Sequence, residues 1–251
     1  MNPLALFRPA APAIAAAALT LSPVAPAFAG VVLDGTRVVY PAHDRQVTVQ
    51  IRNEGASPVL VQNWIDDGRR DAEPEAIDVP FVITPPIARV EAGNGQALRI
   101  AYTGATLPGD RESVFWLNVL EIPAKPADGT NRNHLQFAFR NRLKLFFRPA
   151  DLPGSANAAA ARLTWSLVPR HAVPGHALRI VNPTPFHVSL ASIEVGGKGR
   201  RIENPPMIPP FDTVTVPVPG VDRAPAGATV HYESINDFGA ITPADAALGQ
   251  P

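Results

Sequence analysis

From residue 36 onward, apolar side chains recur at every second position in short runs, and almost nowhere at the three-to-four spacing of an amphipathic helix. Thr36 to Tyr40, Gln46 to Asn53, Val59 to Ile65, Phe81 to Thr84, Gln96 to Tyr102, Val114 to Ile122 and His134 to Phe147 read as strands. Seven strands in about 120 residues is the density of an immunoglobulin-like sandwich. A shorter set follows: Leu163 to Val168, Ala177 to Asn182, Val188 to Val195, Phe211 to Val218 and Thr229 to Ile235. Residues from Phe238 onward carry the least readable pattern. Between the two sets, Arg148 to Ser155 and the alanine-rich run to Ala161 hold turn formers and no alternation, as expected of a linker. The 29 prolines and 18 glycines fall between the runs. An up-and-down barrel would use the same runs, but the midpoint linker favours two sandwiches. The expectation is an all-β chain without long helices, in two immunoglobulin-like β-sandwich domains over residues 30–150 and 151–251.

One run stands apart. From residue 134, Leu135, Phe137, Phe139, Leu143, Leu145 and Phe147 share one face, while Gln136, Arg140, Arg142, Lys144 and Arg148 lie on the other. Fourteen residues at about 3.3 Å each reach roughly 46 Å, more than twice an ordinary strand. The part ending at Phe147 can bury Leu143, Leu145 and Phe147 in the first core. The leading part, Leu135 to Phe139, is then a candidate exposed edge, and its apolar face carries none of the charges, prolines or bulges that normally protect an edge. Two readings stay open on the residues alone. Either the whole strand is internal, or its leading part is built for β-augmentation, in which backbone hydrogen bonds supply affinity and alternate side chains fill a partner's pockets.

Composition narrows the setting. Arg8, the apolar stretch Ala10 to Leu21 and the small-x-small site Ala27-Phe28-Ala29 read as an export signal over residues 1–29, and four prolines between residues 9 and 26 argue against a membrane anchor. No cysteine is present, so the expected cores must hold without disulfides, and thiol chemistry and cysteine-ligated metals are excluded. Lys and Arg number 22 against 22 Asp and Glu, leaving no field that would favour nucleic acid or an anionic membrane.

No sign of catalysis emerges. The six histidines show no HExxH or other close ligand pairing, so no metal site is expected. There is no G-x-S-x-G elbow, and the glycines around Asn94 and Lys198 lack the rest of a phosphate loop. Neither an enzyme activity nor a cofactor or nucleotide is expected. An exported immunoglobulin-like binding module or adhesin would fit the same composition.

Six segments carry a resemblance. They are Gly35-Thr36-Arg37-Val38-Val39-Tyr40; Thr84-Pro85-Pro86 with Arg89; Asp110-Arg111-Glu112-Ser113 before Trp116-Leu117-Asn118; Leu143-Lys144-Leu145-Phe146-Phe147-Arg148-Pro149; Asn182-Pro183-Thr184-Pro185-Phe186; and Ile235-Asn236-Asp237-Phe238-Gly239. In this order and spacing the chain resembles the PapD-like periplasmic pilus (fimbrial) chaperones of the chaperone/usher pathway. The resemblance implies two immunoglobulin-like domains set as a boomerang around an interdomain cleft. It also implies a periplasmic protein whose partners are pilin subunits and an outer-membrane usher, and self-association through the exposed edge when no subunit is bound.

Mapped by motif, Arg37 and Lys144 would bind the subunit's C-terminal carboxylate, as a guanidinium and an ammonium can. Alone, either cation would pass for a solvated surface charge. Leu135, Phe137 and Phe139 would be the donor residues that plug the subunit's groove, with Asn133 as a further contact; burying three such side chains contributes on the order of 5–9 kcal/mol before ordering costs. Glu112, Arg148 and Asp237 would tie the two domains together. The short segment from Pro123 to Asn133 is similar to the short-loop branch that serves rod-like pili. The chain stops 14 residues after Asp237, which puts the last strand of the second domain in doubt.

Overall fold

The computed structural model describes residues 30–124, 136–170, 175–196, 200–218 and 228–249. The export-signal expectation (1–29) and two of the expected donor positions, Asn133 and Leu135, lie outside these residues, as does most of the Pro123 to Asn133 segment.

The first half of the chain forms two facing sheets. One has the order β1 (Val31–Leu33), β3 (Val47–Asn53), β7 (Gly95–Tyr102), β5 (Phe81–Thr84). The other has the order β2 (Arg37–Pro41), β9 (Phe139–Arg148), β8 (Ser113–Pro123), β4 (Val59–Asp66), β6 (Ile87–Val90). Inward residues of both sheets make one core, in which Tyr40, Ile51, Val61, Leu98, Leu117 and Leu145 are fully buried. Every connection but that from β8 to β9 changes sheet, and two of these links are only two or three residues long. Residues 34–36 carry the chain from β1 to β2, and Pro85-Pro86 carry it from β5 to β6. Proline has no N–H to give a ladder, so the two prolines end one pairing, while the Pro86 carbonyl still accepts a bond from the Asn63 N–H at 2.7 Å.

The second half repeats the plan around a separate core. β10 (Thr164–Pro169), β11 (His176–Val181) and β14 (Thr213–Pro217) form one sheet; β13 (Arg201–Glu203), β12 (Ser189–Val195), β15 (Thr229–Ile235) and β16 (Ile241–Ala247) form the other, in that order. Leu178, Ile180, Ile193 and Ile208 lie at its centre.

The strands read from the alternating runs are all present, with boundaries shifted by a few residues. Three further strands, β1, β6 and β13, have only three or four residues each, too short to show a period. The doubt over the final strand is resolved in favour of a strand: β16 pairs along the whole of β15, from Thr229↔Ala247 to Ile235↔Ile241. It lies at the sheet edge, where Pro243 is tolerated. The alanine-rich run is more than a linker. A short helix, α1 (Ala156–Ala159), and the 3-10 turn Ala160–Arg162 lead into β10, with Ala159 and Ala160 buried in the second core. Small methyls on a single helical turn let that connection close one end of the sandwich.

The long alternating run needs one correction. The strand begins at Phe139, not His134, so Phe137 lies in the described but non-strand segment before it. The physical reason is its neighbour: Phe139 already faces Glu121, and β8 ends at Pro123.

Candidate functional site

β9 has two unequal edges. Along one, the whole strand pairs antiparallel with β8, from Phe139↔Glu121 to Phe147↔Ser113. Along the other, parallel β2 covers only the second half, from Arg37↔Lys144 to Pro41↔Arg148. Among the described residues, the backbone of Phe139 to Leu143 therefore has no strand beside it on that edge, a stretch of about 17 Å. Leu143 and Leu145 face into the core, but Phe139, on the same parity, lies past the cover of the opposite sheet and is 62% exposed. Phe137 is 58% exposed, and the two rings sit 6.4 Å apart. Asn141, between them and the core, reaches the Val31 carbonyl at 3.5 Å.

The open edge ends at a pair of cations. Arg37 begins β2 opposite Lys144, and neither forms an ion pair among the described residues. Arg37 donates to the Ile235 carbonyl of the second sandwich at 3.0 Å, lies over the Phe146 ring at 6.0 Å, and keeps a buried Nε without a partner. Lys144 donates to the Ser189 hydroxyl at 2.9 Å. Burial pushes the Lys144 ammonium down to about 8, and the neighbouring Arg37 charge adds to the shift. Burial also lowers Arg37, against the attraction of Asp237. Two partly desolvated cations without a direct ion pair among the described residues make a site for an anion, and their different heads suit a carboxylate.

Glu112, Arg148 and Asp237 form one network of ion pairs. Arg148, last in β9, donates Nε to Glu112 at 2.6 Å and forks both Nη groups onto Asp237 at 2.8 and 2.9 Å. Glu112 is almost wholly buried, and its second oxygen accepts the His187 backbone N–H at 2.8 Å. Burial disfavours the Arg148 charge, but the Asp237 hydrogen bonds and the Glu112 charge outweigh it and raise its pKa. Beside this network a cavity of about 190 Å³ is lined by Arg37, Phe146, His187, Ser189 and Asp237.

Ser189, the Ile235 carbonyl and His187 complete the cleft; Ile235 opens one of the six segments, but no sequence pattern marked Ser189 or His187, because each acts through a position fixed only by the meeting of the two sandwiches. Asp66 and Arg142, on the outer face beside the cleft, were also unmarked: a buried carboxylate at the end of β4 and a guanidinium on β9, 76 residues apart, bonded at 2.9 and 2.5 Å. Among the described residues no group of three His, Asp or Glu could share a metal, and no helix is long and apolar enough to cross a membrane.

The comparisons with known proteins agree with this architecture. Residues 30–153 match the family model of the PapD N-terminal domain, described as a pili and flagellar-assembly chaperone, and residues 158–246 match the C-terminal domain of the pili assembly chaperone PapD. The chain is 44% identical over 237 residues to the chaperone protein FimB/FhaD of Bordetella pertussis, covering 92% of this chain and 93% of that one. The crystal structure of the Pseudomonas aeruginosa CupB2 chaperone superposes with a TM-score of 0.71 at 43% identity, over 87% of this chain and 100% of that one. The SafB chaperone of Salmonella enterica, solved in complex with the SafA pilin, superposes with a TM-score of 0.73 at 31% identity, over 89% and 99%. With both domain models matched in order, two sandwiches and a cationic cleft between them, the chain belongs to the PapD family of pilus-assembly chaperones.

Proposed function

We propose that this chaperone works in the periplasm, where it captures a pilin subunit by adding its own β9 edge to the subunit's incomplete sheet and hands the subunit to an outer-membrane usher. The observation that carries this reading is the geometry of β9: among the described residues, its edge is open over Phe139 to Leu143 and stops at Arg37 and Lys144, two cations in no direct ion pair.

The direction of the added strand follows. A chain whose terminal carboxylate sits at Arg37 and Lys144 cannot continue past them, because β2 already occupies that edge from Arg37 to Pro41. Its preceding residues must run back along Leu143 to Phe139, which makes the subunit strand parallel to β9 and collinear with β2. The anchor sets where pairing begins, backbone hydrogen bonds extend it, and Phe139 and Phe137 fill apolar pockets of the subunit. Asn133 and Leu135 would prolong the same contact. Glu112, Arg148 and Asp237 hold the second sandwich so that the cleft stays in place around the carboxylate. No bond is made or broken and no nucleotide is used; release comes from exchange for another strand, and without a subunit the same edge pairs with a second copy of the chaperone.

Co-expression with a pilin encoded in the same operon, followed by co-purification from periplasmic extract, tests the reading. The wild-type chain is expected to bring down the pilin, and Arg37→Ala or Lys144→Ala to lose it while melting at nearly the wild-type temperature. Full capture by both variants would remove the carboxylate anchor.

A further inference from the structure

Alternation alone does not fix the register of an added strand. A slip of one residue turns every side chain to the wrong face, but a slip of two preserves the faces and moves the strand by about 6.6 Å. Capture in one register therefore needs a mark at one point of the edge. The outer face of β9 offers three cations at that two-residue spacing, Arg140, Arg142 and Lys144. Any of them could hold a carboxylate.

Their surroundings differ. Lys144 has only the Ser189 hydroxyl and stands beside Arg37. Arg140 is exposed, donates to the Arg70 carbonyl at 3.0 Å, and would anchor a strand with almost none of the open edge left to pair. Arg142 sits one slip away from Lys144, and one edge of its guanidinium is already taken. Its Nε and Nη2 donate to the two oxygens of Asp66 at 2.9 and 2.5 Å, and its guanidinium lies 4.6 Å above Trp116. Asp66, with a side chain 1% exposed, also accepts from Asn118 at 2.7 Å and from the Gly68 N–H at 2.8 Å. Burial would push the Asp66 carboxyl up, but these hydrogen bonds hold it below the usual carboxylate range, so it stays charged. Asp66 takes the Nε–Nη2 edge of Arg142 and balances its charge, so a carboxylate approaching the remaining Nη1 side gains less than at Lys144 and Arg37, and one that took the whole guanidinium would leave Asp66 buried without its cation, which is costly.

We propose that Asp66 is a register-setting residue: by occupying Arg142 it leaves Arg37 and Lys144 as the single place on the β9 edge where a partner's terminal carboxylate can anchor. The inference rests on the strand-addition reading above, and it predicts a change in register rather than in stability alone.

The chain has no cysteine, so one engineered cysteine reports register cleanly. Ala138→Cys, exposed ahead of β9, is placed in three backgrounds: otherwise wild type, Asp66→Asn, and Asp66→Asn with Arg142→Met. The probes are two synthetic peptides of alternating valine and serine with a free C-terminal carboxylate, each carrying one cysteine at sites two residues apart. With oxidised glutathione as the oxidant, the otherwise wild-type protein is expected to form a disulfide with one peptide at least about tenfold faster than with the other. Asp66→Asn frees Arg142 and brings the two rates within about threefold, and the double variant restores the preference because the competing cation is gone. An unchanged preference in Asp66→Asn overturns the proposal. So does a double variant that stays mixed, since Asp66 would then be supporting the fold and not screening Arg142. No disulfide with either peptide in the otherwise wild-type protein, and no difference between acid and amidated peptides, would remove the strand-addition reading and this inference with it.

Discussion

Arg148 holds both carboxylate oxygens of Asp237, at 2.8 and 2.9 Å, so the strand that carries the open edge is also tied to the second sandwich. Two residues before Asp237, the Ile235 carbonyl accepts from Arg37. The hairpin from β15 to β16 thus meets both ends of β2's pairing with β9, and the position of Arg37 and Lys144 is coupled to the interdomain contact rather than to the first sandwich alone.

The coupling is unequal among its three charged members, and their stabilities should separate accordingly. Glu112 is buried, with Arg148 as its only cation among the described residues apart from the His187 ring at 3.4 Å, so Arg148→Ala strands a buried carboxylate and is expected to cost about 3–5 kcal/mol. Asp237 is partly exposed, and Asp237→Asn keeps the shape while removing one charge, for about 1–2 kcal/mol. Urea unfolding of the two variants checks the ranking; equal losses would mean that Glu112 finds another partner.

The proposed anchor carries a pH dependence through Lys144. Its folded pKa is lowered to about 8 from 10.5, so in the free chaperone the ammonium is lost as pH rises through about 8, while a bound carboxylate raises that pKa again. Affinity for a peptide with a free C-terminal carboxylate should therefore be complete below about pH 8 and weaken by up to tenfold per unit above it, until the pKa of the complex is reached. Lys144→Arg keeps its charge throughout and should bind with a flat profile over the same range. For folding, the sign is reversed from that of an ion-paired lysine. The penalty of the buried charge is present in full below about pH 8 and relieved between about 8 and 10.5, so wild type should gain stability relative to Lys144→Met across that window. Titration calorimetry and melting curves at pH 7 and pH 9.5 read the two effects separately.

Much of this was legible in the residues, and what was not has physical causes. The alternation from Leu135 to Phe147 announced a strand too long for its sandwich, but not where its pairing begins, because that depends on β8 ending at Pro123. β6, four residues long and just after Pro85-Pro86, is too short to show a period. Arg37 and Lys144 were found through the family motif; alone, each is an ordinary surface cation, and only the parallel pairing of β2 with β9 sets them side by side. The bond between Asp66 and Arg142 joins residues 76 apart, with no local period to reveal it.

Phe137 and Phe139 should separate capture from folding. Both are more than half exposed in the free chain, so Phe137→Asp or Phe139→Asp should change stability by no more than about 0.5 kcal/mol. In a complex the same carboxylate would enter an apolar pocket unpaired, and pilin capture should be lost. Analytical ultracentrifugation should also show less self-association. A variant that unfolds but still captures pilin would mean the rings belong to the chaperone's own core.

Asn182 gives the second sandwich its own test. Its motif with Pro183 and Thr184 looks like a surface turn, yet the side chain is fully buried and all of its polar atoms are used. Nδ2 donates to the Phe186 and Pro209 carbonyls at 2.7 and 2.9 Å, and Oδ1 accepts from the Thr184 N–H and hydroxyl at 3.0 and 2.7 Å. Prolines at 183, 185 and 209 cannot supply N–H groups to the same carbonyls, so a side-chain amide does the work of a strand. Asn182→Ala takes the amide donor from the Phe186 and Pro209 carbonyls and the acceptor from the Thr184 N–H, leaving the Thr184 hydroxyl only its 3.4 Å contacts with Phe186, and should cost about 2–4 kcal/mol. Asn182→Asp keeps the acceptor but loses both donors and buries a charge against carbonyl oxygens, so it should be worse than alanine. Denaturant unfolding of the two variants checks the order, and an aspartate milder than the alanine would mean that water reaches the turn.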